Sequence, residues 1–447
     1  EVAQNGRRGA LMLTMDIAHP DIEDFITIKQ DLSKVTGANI SLRLSDEFMM
    51  AVVNDDDFTL RWPIESKTPT YKKVVRAKDL WETIIKCAHN TAEPGLIFWD
   101  RQHKYSTSSI YPGYRNVSTN PCSEIAMQGG DSCRLIAINL YNFVNEPFTE
   151  NAKFDYKKLY EVTYESQRLM DDLVDLELEA IDRILTKVES DPEPNDVKNE
   201  EIKTWKLLQE TGRKGRRTGL GFTALSDTIA ALGLTIDSDE SLEMIESILK
   251  KKCEAEFESS IDMAIERGSF DGFDVKYEKQ SEFVDMLKVE FPELHGRMML
   301  NGRRNISLST VAPTGSLSML AQTSSGIEPV FLLSYKRRRK INPADKSAKI
   351  DFIDEMGDQW QEFTVYHAKY KEWMKISGEN KIEKSPYYKS TASEIDWHKR
   401  ISIQAIAQKY VTHSISSTIN LPNDVTEERV GQIYFESWEK GLKGITV

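Results

Sequence analysis

Hydrophobic residues along this chain follow a spacing typical of strands in some segments and a spacing typical of helices in others. The order of these segments predicts repeated strand-then-helix units. Residues 10–17, ALMLTMDI, form an apolar run that predicts a strand. The segment HPDIEDFITIK follows, with Pro20 and an acidic first turn that are typical of a helix start. Residues 37–53, GANISLRLSDEFMMAVV, repeat this order, with apolar residues at alternate positions before Ser45, which we expect to cap the next helix. Such units indicate an α/β fold with mostly parallel strands, in either a barrel or a doubly wound sheet.

Longer helices and further buried segments are predicted after these units. An apolar stripe in residues 81–88 precedes GLIFWD, a short buried strand, and long helical patterns occupy residues 156–185 and 237–267. Cys87 and Cys253 lie beside or within these stripes, so we interpret both as core residues. Residues 188–203 are charged and contain proline, which predicts an exposed insertion.

Composition narrows the class of protein. A chain of 447 residues with 40% hydrophobic residues can bury a large core, and its length suggests two or three domains unless it forms one barrel. Because the sequence has no apolar run of membrane-spanning length and no signal-peptide pattern, we expect a cytoplasmic protein without membrane association. The net charge of −13 argues against a nucleic-acid surface, and we interpret the basic run at residues 336–340 as a solvated edge.

Candidate chemistry is concentrated in residues 120–140, NPCSEIAMQGGDSCRLIAINL. Asn120, Cys122 and Glu124 stand at alternate positions, so in an extended, projecting loop all three side chains would face one small substrate. A turn at residues 129–131 would let a second thiol, Cys133, fold back toward Cys122. Spacing alone favours the alternative that both cysteines are small core residues. Four cysteines without a C-x-x-C pair or paired histidines predict neither a disulfide scaffold nor a metal site.

A second candidate site lies in NISLSTVAPTGSLSMLA, where an alternating strand meets a turn and then a helix-like stretch. The turn residues are Pro313, Thr314, Gly315, Ser316 and Leu317. A helix start with small hydroxyl residues can bind phosphate through its free backbone N–H groups. The local pattern by itself favours a hydroxyl-rich helix cap without a ligand.

These motifs resemble those of ribonucleotide reductase catalytic chains. The resemblance rests on N-x-C-x-E followed by a second cysteine, on APTGSLSMLAQTSSGIEPVF at residues 312–331, and on RRTGLGF at 216–222 and HSISSTINLP at 413–422, in the family's order. It implies that residues 1–447 are a single catalytic barrel domain cut at both ends. The barrel would have ten strands in two five-stranded halves, with a central finger loop carrying Cys122. Residues 1–9 would be the remnant of a specificity loop in which Gln4 and Arg8 contact effector and substrate base, although an ordinary basic turn is the alternative.

The resemblance also implies a reaction, the reduction of ribonucleotides to 2′-deoxyribonucleotides for DNA synthesis. Cys122 would carry a thiyl radical, Glu124 would act as general base, and Asn120 would hydrogen-bond the sugar hydroxyls. Cys133 would form a disulfide with a cysteine upstream of Glu1. The phosphate turn would hold the substrate, and whether that substrate is a diphosphate or a triphosphate is left open. The implied partners are dNTP or ATP effectors, a thioredoxin- or glutaredoxin-type reductant and a second copy in a homodimer.

Adenosylcobalamin is the cofactor that the resemblance favours. Chains that receive their radical from a separate metal-containing subunit carry two adjacent tyrosines after a GLK-like segment, whereas GLKGI is followed here by Thr446 and Val447. Delivery by such a subunit remains the main alternative. A glycyl-radical enzyme, a cysteine hydrolase with Cys122 as nucleophile and a noncatalytic nucleotide-binding protein are further alternatives, and no histidine stands in a partner motif for a hydrolase.

Overall fold

Strand and helix alternate from the first described residues to the last. The computed structural model describes residues 3, 4, 7–132, 134–342, 344 and 347–447, and at residues 3, 4, 7 and 8 it describes the backbone. The helices are α1 (Ile22–Thr27), α2 (Asp46–Asn54), α3 (Ala77–Thr91), α4 (Trp99–Lys104), α5 (Tyr156–Ser190), α6 (Asn195–Gly215), α7 (Leu225–Ala231), α8 (Asp239–Arg267), α9 (Val275–Glu278), α10 (Glu282–Glu290), α11 (Pro292–Asn301), α12 (Gly315–Ala321), α13 (Ala368–Ser377), α14 (Trp397–Lys409) and α15 (Glu427–Glu439). Short 3₁₀ turns occupy Ile28–Gln30, Leu140–Phe143 and Ile382–Lys384.

The strands are mostly short. They are β1 (Ala3–Gln4), β2 (Arg7–Arg8), β3 (Leu11–Asp16), β4 (Ala38–Leu44), β5 (Asp57–Trp62), β6 (Tyr71–Arg76), β7 (Gly95–Phe98), β8 (Ser118–Thr119), β9 (Ala126–Met127), β10 (Leu135–Asn139), β11 (Val144–Asn145), β12 (Lys153–Phe154), β13 (Gly219–Thr223), β14 (Ser334–Lys340), β15 (Phe352–Ile353), β16 (Gln359–Tyr366) and β17 (Gly444–Ile445). The predicted βα units are present at β3–α1 and β4–α2. Ser45 caps α2 as predicted, since its hydroxyl accepts a hydrogen bond of 3.2 Å from the Phe48 amide.

Eight extended members form a continuous open sheet. β3, β4 and β7 pair in parallel, and β17 pairs antiparallel to β7. β10 pairs in parallel with β13 at the other end. Single parallel bridges, Leu220 to Ser309, Val311 to Ile415 and Thr418 to Thr446, join β13 to β17 through residues 308–311 and 413–418. In the part of the chain that the structure describes, β3 and β10 are the two ends and the sheet does not close on itself.

Residues 308–311 make only isolated bridges where the sequence predicts a regular strand. The Thr412 hydroxyl accepts hydrogen bonds from the amides of Leu308 (3.1 Å) and Ser309 (2.9 Å). A side chain therefore takes the place of ladder partners. On the other side, Gly221 allows very close approach, because a Cβ there would lie 2.6 Å from the Thr310 carbonyl oxygen. Glycine is needed at this position for its small volume.

Two hydrophobic clusters cover the sheet. One packs β10 and β13 against α5, α8, α10 and α14, and the other packs β4 and β7 against α1, α2, α3 and α15. Cys253 belongs to the first cluster and Cys87 to the second, which confirms the interpretation of both as core residues. The α/β class is confirmed as well. No helix in the described ranges is long and apolar enough to cross a membrane.

Two excursions leave the sheet. Residues 188–203 are mostly exposed, as predicted, and they form the tip of the hairpin between α5 and α6. The basic run at residues 336–340 lies in β14, an exposed edge strand paired antiparallel with β16. The placement of this run agrees with a solvated edge.

Candidate active site

The Cys122 loop is a tight hairpin turn, which corrects the prediction of an extended segment. It connects the antiparallel strands β8 and β9. The Asn120 amide donates to the Ile125 carbonyl (3.1 Å), and the Ser123 amide donates to the Asn120 carbonyl (2.9 Å). Ser123 has a φ of +62°, so the chain reverses there. The alternation rule fails because it applies to extended backbone, and Cys122 is instead presented at the tip of the turn.

The turn brings Asn120 and Glu124 into direct contact. The Asn120 Nδ2 atom donates to Glu124 Oε2 over 2.7 Å, and Asn120 Oδ1 accepts from the Ile125 amide over 3.1 Å. Both ends of the Asn120 amide are thereby fixed, so its orientation and that of the carboxyl group are set together. The three predicted residues are thus assembled by a turn.

Burial sets the protonation of this cluster. Glu124 is only 3% exposed, and burial raises the pKa of its carboxyl group, with the Asn120 hydrogen bond opposing the rise. Partial burial of the sulfur, together with the neighbouring Glu124, raises the pKa of Cys122. Cys122 is therefore held as a thiol at neutral pH. This disfavours a hydrolase, which needs a thiolate.

The turn is attached to the sheet through one carbonyl group. The Glu124 carbonyl oxygen accepts hydrogen bonds from the Thr310 hydroxyl (2.6 Å) and from the Ser414 amide (2.9 Å). The Thr310 hydroxyl also donates to the Ser414 carbonyl (3.1 Å). Residues 308–311 and 413–418 therefore hold the Cys122 loop between them.

Arg217 fixes the chain beyond the turn, and the sequence did not single it out. It is almost completely buried and donates to Asp131 Oδ2 (2.8 Å), Gln128 Oε1 (2.8 Å) and Ser108 Oγ (3.2 Å). Its position in RRTGLGF, next to a glycine-rich buried strand, was the available clue. Cys133 lies outside the described residues, so its predicted disulfide stays a prediction.

A cavity of about 280 Å³ opens beside Cys122. Its lining is mostly small side chains and backbone from β4, β7, residues 415–418 and the region around β17. Ser41, Ser417 and Thr446 are among them, and none of the described residues that line the cavity is a histidine. The cavity offers hydrogen-bond partners in a nucleoside-sized space next to the thiol.

The turn that the sequence predicts to bind phosphate lies at the start of α12, and phosphate binding there stays a prediction. Thr314 adopts a left-handed conformation (φ +53°), and its hydroxyl accepts from the Gly326 amide (2.8 Å) and lies 3.0 Å from the Thr223 hydroxyl. The Ser318 amide is the first in the turn to bond back, to the Thr314 carbonyl (2.8 Å). The preceding amides at residues 315–317 therefore precede the intrahelical ladder. Pro313, Gly315, Ser316 and Leu317 are exposed, so the turn is open to a ligand.

A larger cavity of about 670 Å³ lies along α12. Pro313, Gly315 and Ser318 line it, and Ser416 and Thr418 line both this cavity and the one beside Cys122. The two candidate sites, about 190 residues apart in sequence, are thus brought together by residues 413–418. At Gln4 and Arg8 the backbone pairs as β1 with β2, and the side chains of these residues lie outside the described part of the chain.

Comparisons with known proteins agree on one family. A family model described as "Ribonucleotide reductase, barrel domain" matches residues 2–447. The chain is 29% identical over 99% of its length to a vitamin B12-dependent ribonucleoside-diphosphate reductase from Mycobacterium tuberculosis, covering 56% of that protein. It is 30% identical over its full length to a protein of the same name from Thermoplasma acidophilum, covering 52%. It is 24% identical over 98% of its length to a ribonucleoside-diphosphate reductase large subunit from Plasmodium falciparum, covering 55%. The chain spans about half the length of the curated relatives that it matches.

Proposed function

Because this chain belongs to the ribonucleotide reductase barrel-domain family, we propose that it is the catalytic core of an enzyme that replaces the 2′-hydroxyl group of a ribonucleotide by hydrogen. The observation that carries the proposal is the Asn120–Glu124 pair, joined over 2.7 Å next to the Cys122 thiol at the tip of a hairpin turn. A noncatalytic nucleotide-binding protein has no use for this combination.

Each residue of the turn has a chemical role in this proposal. The Cys122 sulfur, as a thiyl radical, abstracts the 3′-hydrogen of the ribose and later returns it. Glu124 accepts the proton of the 3′-hydroxyl as general base, and the raised pKa of its carboxyl group favours proton uptake. Asn120, whose amide is fixed at both ends, hydrogen-bonds the sugar hydroxyls and holds the intermediate in place.

The net reaction consumes one dithiol. The ribonucleotide gains two electrons and two protons, loses its 2′-oxygen as water, and leaves a disulfide on the protein. We assign Cys133 as one of the two thiols and a cysteine elsewhere in the full-length protein as the other. A thioredoxin- or glutaredoxin-type protein would reduce the disulfide between turnovers.

The phosphate turn would hold the other end of the substrate. Residues 313–317 combine free amides at a helix start with an exposed backbone that an anion can approach. Their cavity adjoins that of Cys122 through Ser416 and Thr418, which supports a nucleotide bound along α12 with its ribose next to the Cys122 thiol. Relatives named ribonucleoside-diphosphate reductases favour a diphosphate substrate.

We assign adenosylcobalamin as the radical source. Relatives named vitamin B12-dependent support this, and the cavity beside Cys122 fits a nucleoside-sized group. Ser41, Ser417 and Thr446 would hold the adenosyl group by hydrogen bonds. When bound, the cofactor supplies a radical through homolysis of its cobalt–carbon bond. Cys122 is the side chain positioned to hold the resulting radical, since its sulfur is exposed to this cavity.

We further propose that the full-length protein closes a ten-stranded barrel. In the open sheet, β10, β13, residues 308–311, residues 413–418 and β17 run parallel, and β7, β4 and β3 run in the opposite direction. These sets correspond to one five-stranded half and three strands of the other. Two further strands in the full-length protein would complete it. We also propose that Gln4 and Arg8 contact an effector and that the full-length protein forms a homodimer.

The experiment is an activity assay of the full-length protein under anaerobic conditions. With adenosylcobalamin, a dithiol and a ribonucleoside diphosphate, we expect deoxyribonucleotide to form without a second protein, and Cys122→Ser should abolish turnover while nucleotide binding survives. A requirement for an iron- or manganese-loaded partner would replace the cofactor assignment with a radical subunit. Turnover by Cys122→Ser would reject the mechanism.

A further inference from the structure

The larger cavity is lined by a carboxyl group and an imidazole ring as well as by the phosphate turn. Among the described residues that line it, Glu328 carries the one carboxyl group and His367 the one imidazole ring. His367 immediately precedes α13, and its amide donates to the Leu333 carbonyl over 2.8 Å. This backbone bond fixes the residue at the edge of the cavity.

A completely buried carboxylate holds the His367 ring. Asp227 Oδ1 accepts hydrogen bonds from His367 Nε2 (2.8 Å) and from the Tyr387 hydroxyl (2.7 Å), and Asp227 Oδ2 accepts from the Ser324 amide (2.6 Å). Asp227 is 0% exposed, whereas the His367 side chain is 14% exposed. The ring therefore bridges a buried carboxylate and the cavity.

Asp227 is a buried acidic neighbour of the His367 ring. A buried carboxylate is costly unless a cation or several donors offset it. Among the residues that the structure describes, His367 is the one basic side chain within 4.0 Å of Asp227. Because Nε2 faces Asp227, Nδ1 lies on the other side of the ring.

The second ring nitrogen is left for a ligand. In the described ranges, no hydrogen-bond partner lies on His367 Nδ1, and the ring is a wall of the cavity. The Glu328 carboxylate does not occupy His367 Nδ1, because it accepts hydrogen bonds from Arg400 (2.8 Å) and from the Thr418 amide (3.1 Å). The cavity therefore offers the second ring nitrogen of His367, and Ser318 and Ser325 line the same cavity.

We propose that His367 is a phosphate-binding residue, which contacts the terminal phosphate of the nucleotide in the cavity that the phosphate turn also lines. The inference rests on the proposed function, because it takes the ligand of this cavity to be the substrate. Asp227 is then a positioning residue, which orients the ring through its hydrogen bond to Nε2. The site would favour nucleotides with a terminal phosphate over the corresponding nucleosides.

The test compares His367→Gln with the wild-type full-length protein by calorimetric titration with cytidine 5′-diphosphate and with cytidine. A glutamine can keep a hydrogen bond to Asp227 but has no second ring nitrogen to offer the phosphate. Since a hydrogen bond to a charged group contributes about 10- to 100-fold in affinity, we expect diphosphate binding to weaken by that factor while cytidine binding stays within about twofold. In turnover, KM for the diphosphate should rise with kcat nearly unchanged.

His398→Gln is the matched control. Its ring also pairs with a carboxylate, Glu436, over 2.5 Å, but it is 55% exposed and lies outside the cavity. We expect no change in binding for this variant. Unchanged diphosphate affinity in His367→Gln would overturn the inference, and so would an equal loss for diphosphate and cytidine, which indicates a purely structural role. If the wild-type protein bound neither ligand, the proposed function would fail together with the inference.

Discussion

Replacement of Glu124 by glutamine separates catalysis from binding. The carboxyl group makes one side-chain hydrogen bond, to Asn120 Nδ2 over 2.7 Å, and a glutamine that turns its carbonyl oxygen toward Asn120 keeps this bond. Fold and nucleotide affinity should therefore persist. Loss of a general base typically lowers turnover ~10²- to 10⁴-fold, or about 3 to 5 kcal/mol of activation free energy. The assay is anaerobic reduction of a radiolabelled ribonucleoside diphosphate by the full-length protein.

The pH dependence of the same variant provides a second measurement. Burial raises the pKa of Glu124, and the base form exists only above that pKa. Wild-type activity should thus fall on acidification at a higher pH than an ordinary glutamate would give, and Glu124→Gln should lack this acid limb. Glu179→Gln, on the exposed face of α5, is the control. Undiminished reduction by Glu124→Gln would remove Glu124 from the mechanism.

At neutral pH, Glu124→Gln should favour the stability of the folded protein while it lowers activity. Because the folded state raises the pKa of Glu124, it binds a proton more readily than the unfolded chain does. The wild-type protein therefore loses stability as pH rises from the ordinary glutamate pKa through the raised value. Glu124→Gln has no such loss, so its melting temperature relative to wild type should be higher at neutral pH than at low pH. An equal difference at both pH values would argue against a buried, ionisable Glu124.

Three further predictions concern the phosphate turn, the sheet and the redox thiols. Gly315→Val should weaken diphosphate binding by about 10-fold or more, because its side chain would stand in open space that the anion needs; equal affinity for the variant and the wild-type protein would reject the phosphate assignment. Gly221→Ala should destabilise the fold by about 2 kcal/mol or more through its contact with the Thr310 carbonyl, with Gly315→Ala as a control that has room for a Cβ; equal denaturation midpoints would contradict the close packing. Mass spectrometry of the oxidised full-length protein should show Cys133 joined to an upstream cysteine, and a bond to the buried Cys253 would contradict both assignments.

The sequence predicted secondary-structure elements and the protein family better than it predicted local backbone geometry. The alternation in β4, the Ser45 cap and the stripe of α8 are local patterns, and the structure confirms them. The α/β class follows from their order. Family membership, expected from motifs spread along the chain, is confirmed by the family model over residues 2–447.

The parts that sequence reasoning missed depend on contacts between distant segments. The Asn120–Glu124 bond needs a chain reversal at Ser123, a residue with no strong preference for positive φ. Likewise, Arg217 and Asp131 are 86 residues apart, and the sequence around neither residue predicts a buried ion pair. Tertiary packing decides both.

The attachment of the Cys122 loop to Thr310 limits the distance between this loop and the phosphate turn. Thr310 holds Glu124 through its hydroxyl, and Thr314, four positions later on the same segment, begins the phosphate turn. Four residues of extended chain span at most about 14 Å. In the proposed function, the separation between the Cys122 sulfur and the bound phosphate would therefore be set by a short length of backbone that is held at both ends. A single residue inserted between Thr310 and Thr314 would move one end by about 3.3 Å, enough to place a neighbouring sugar carbon under the sulfur.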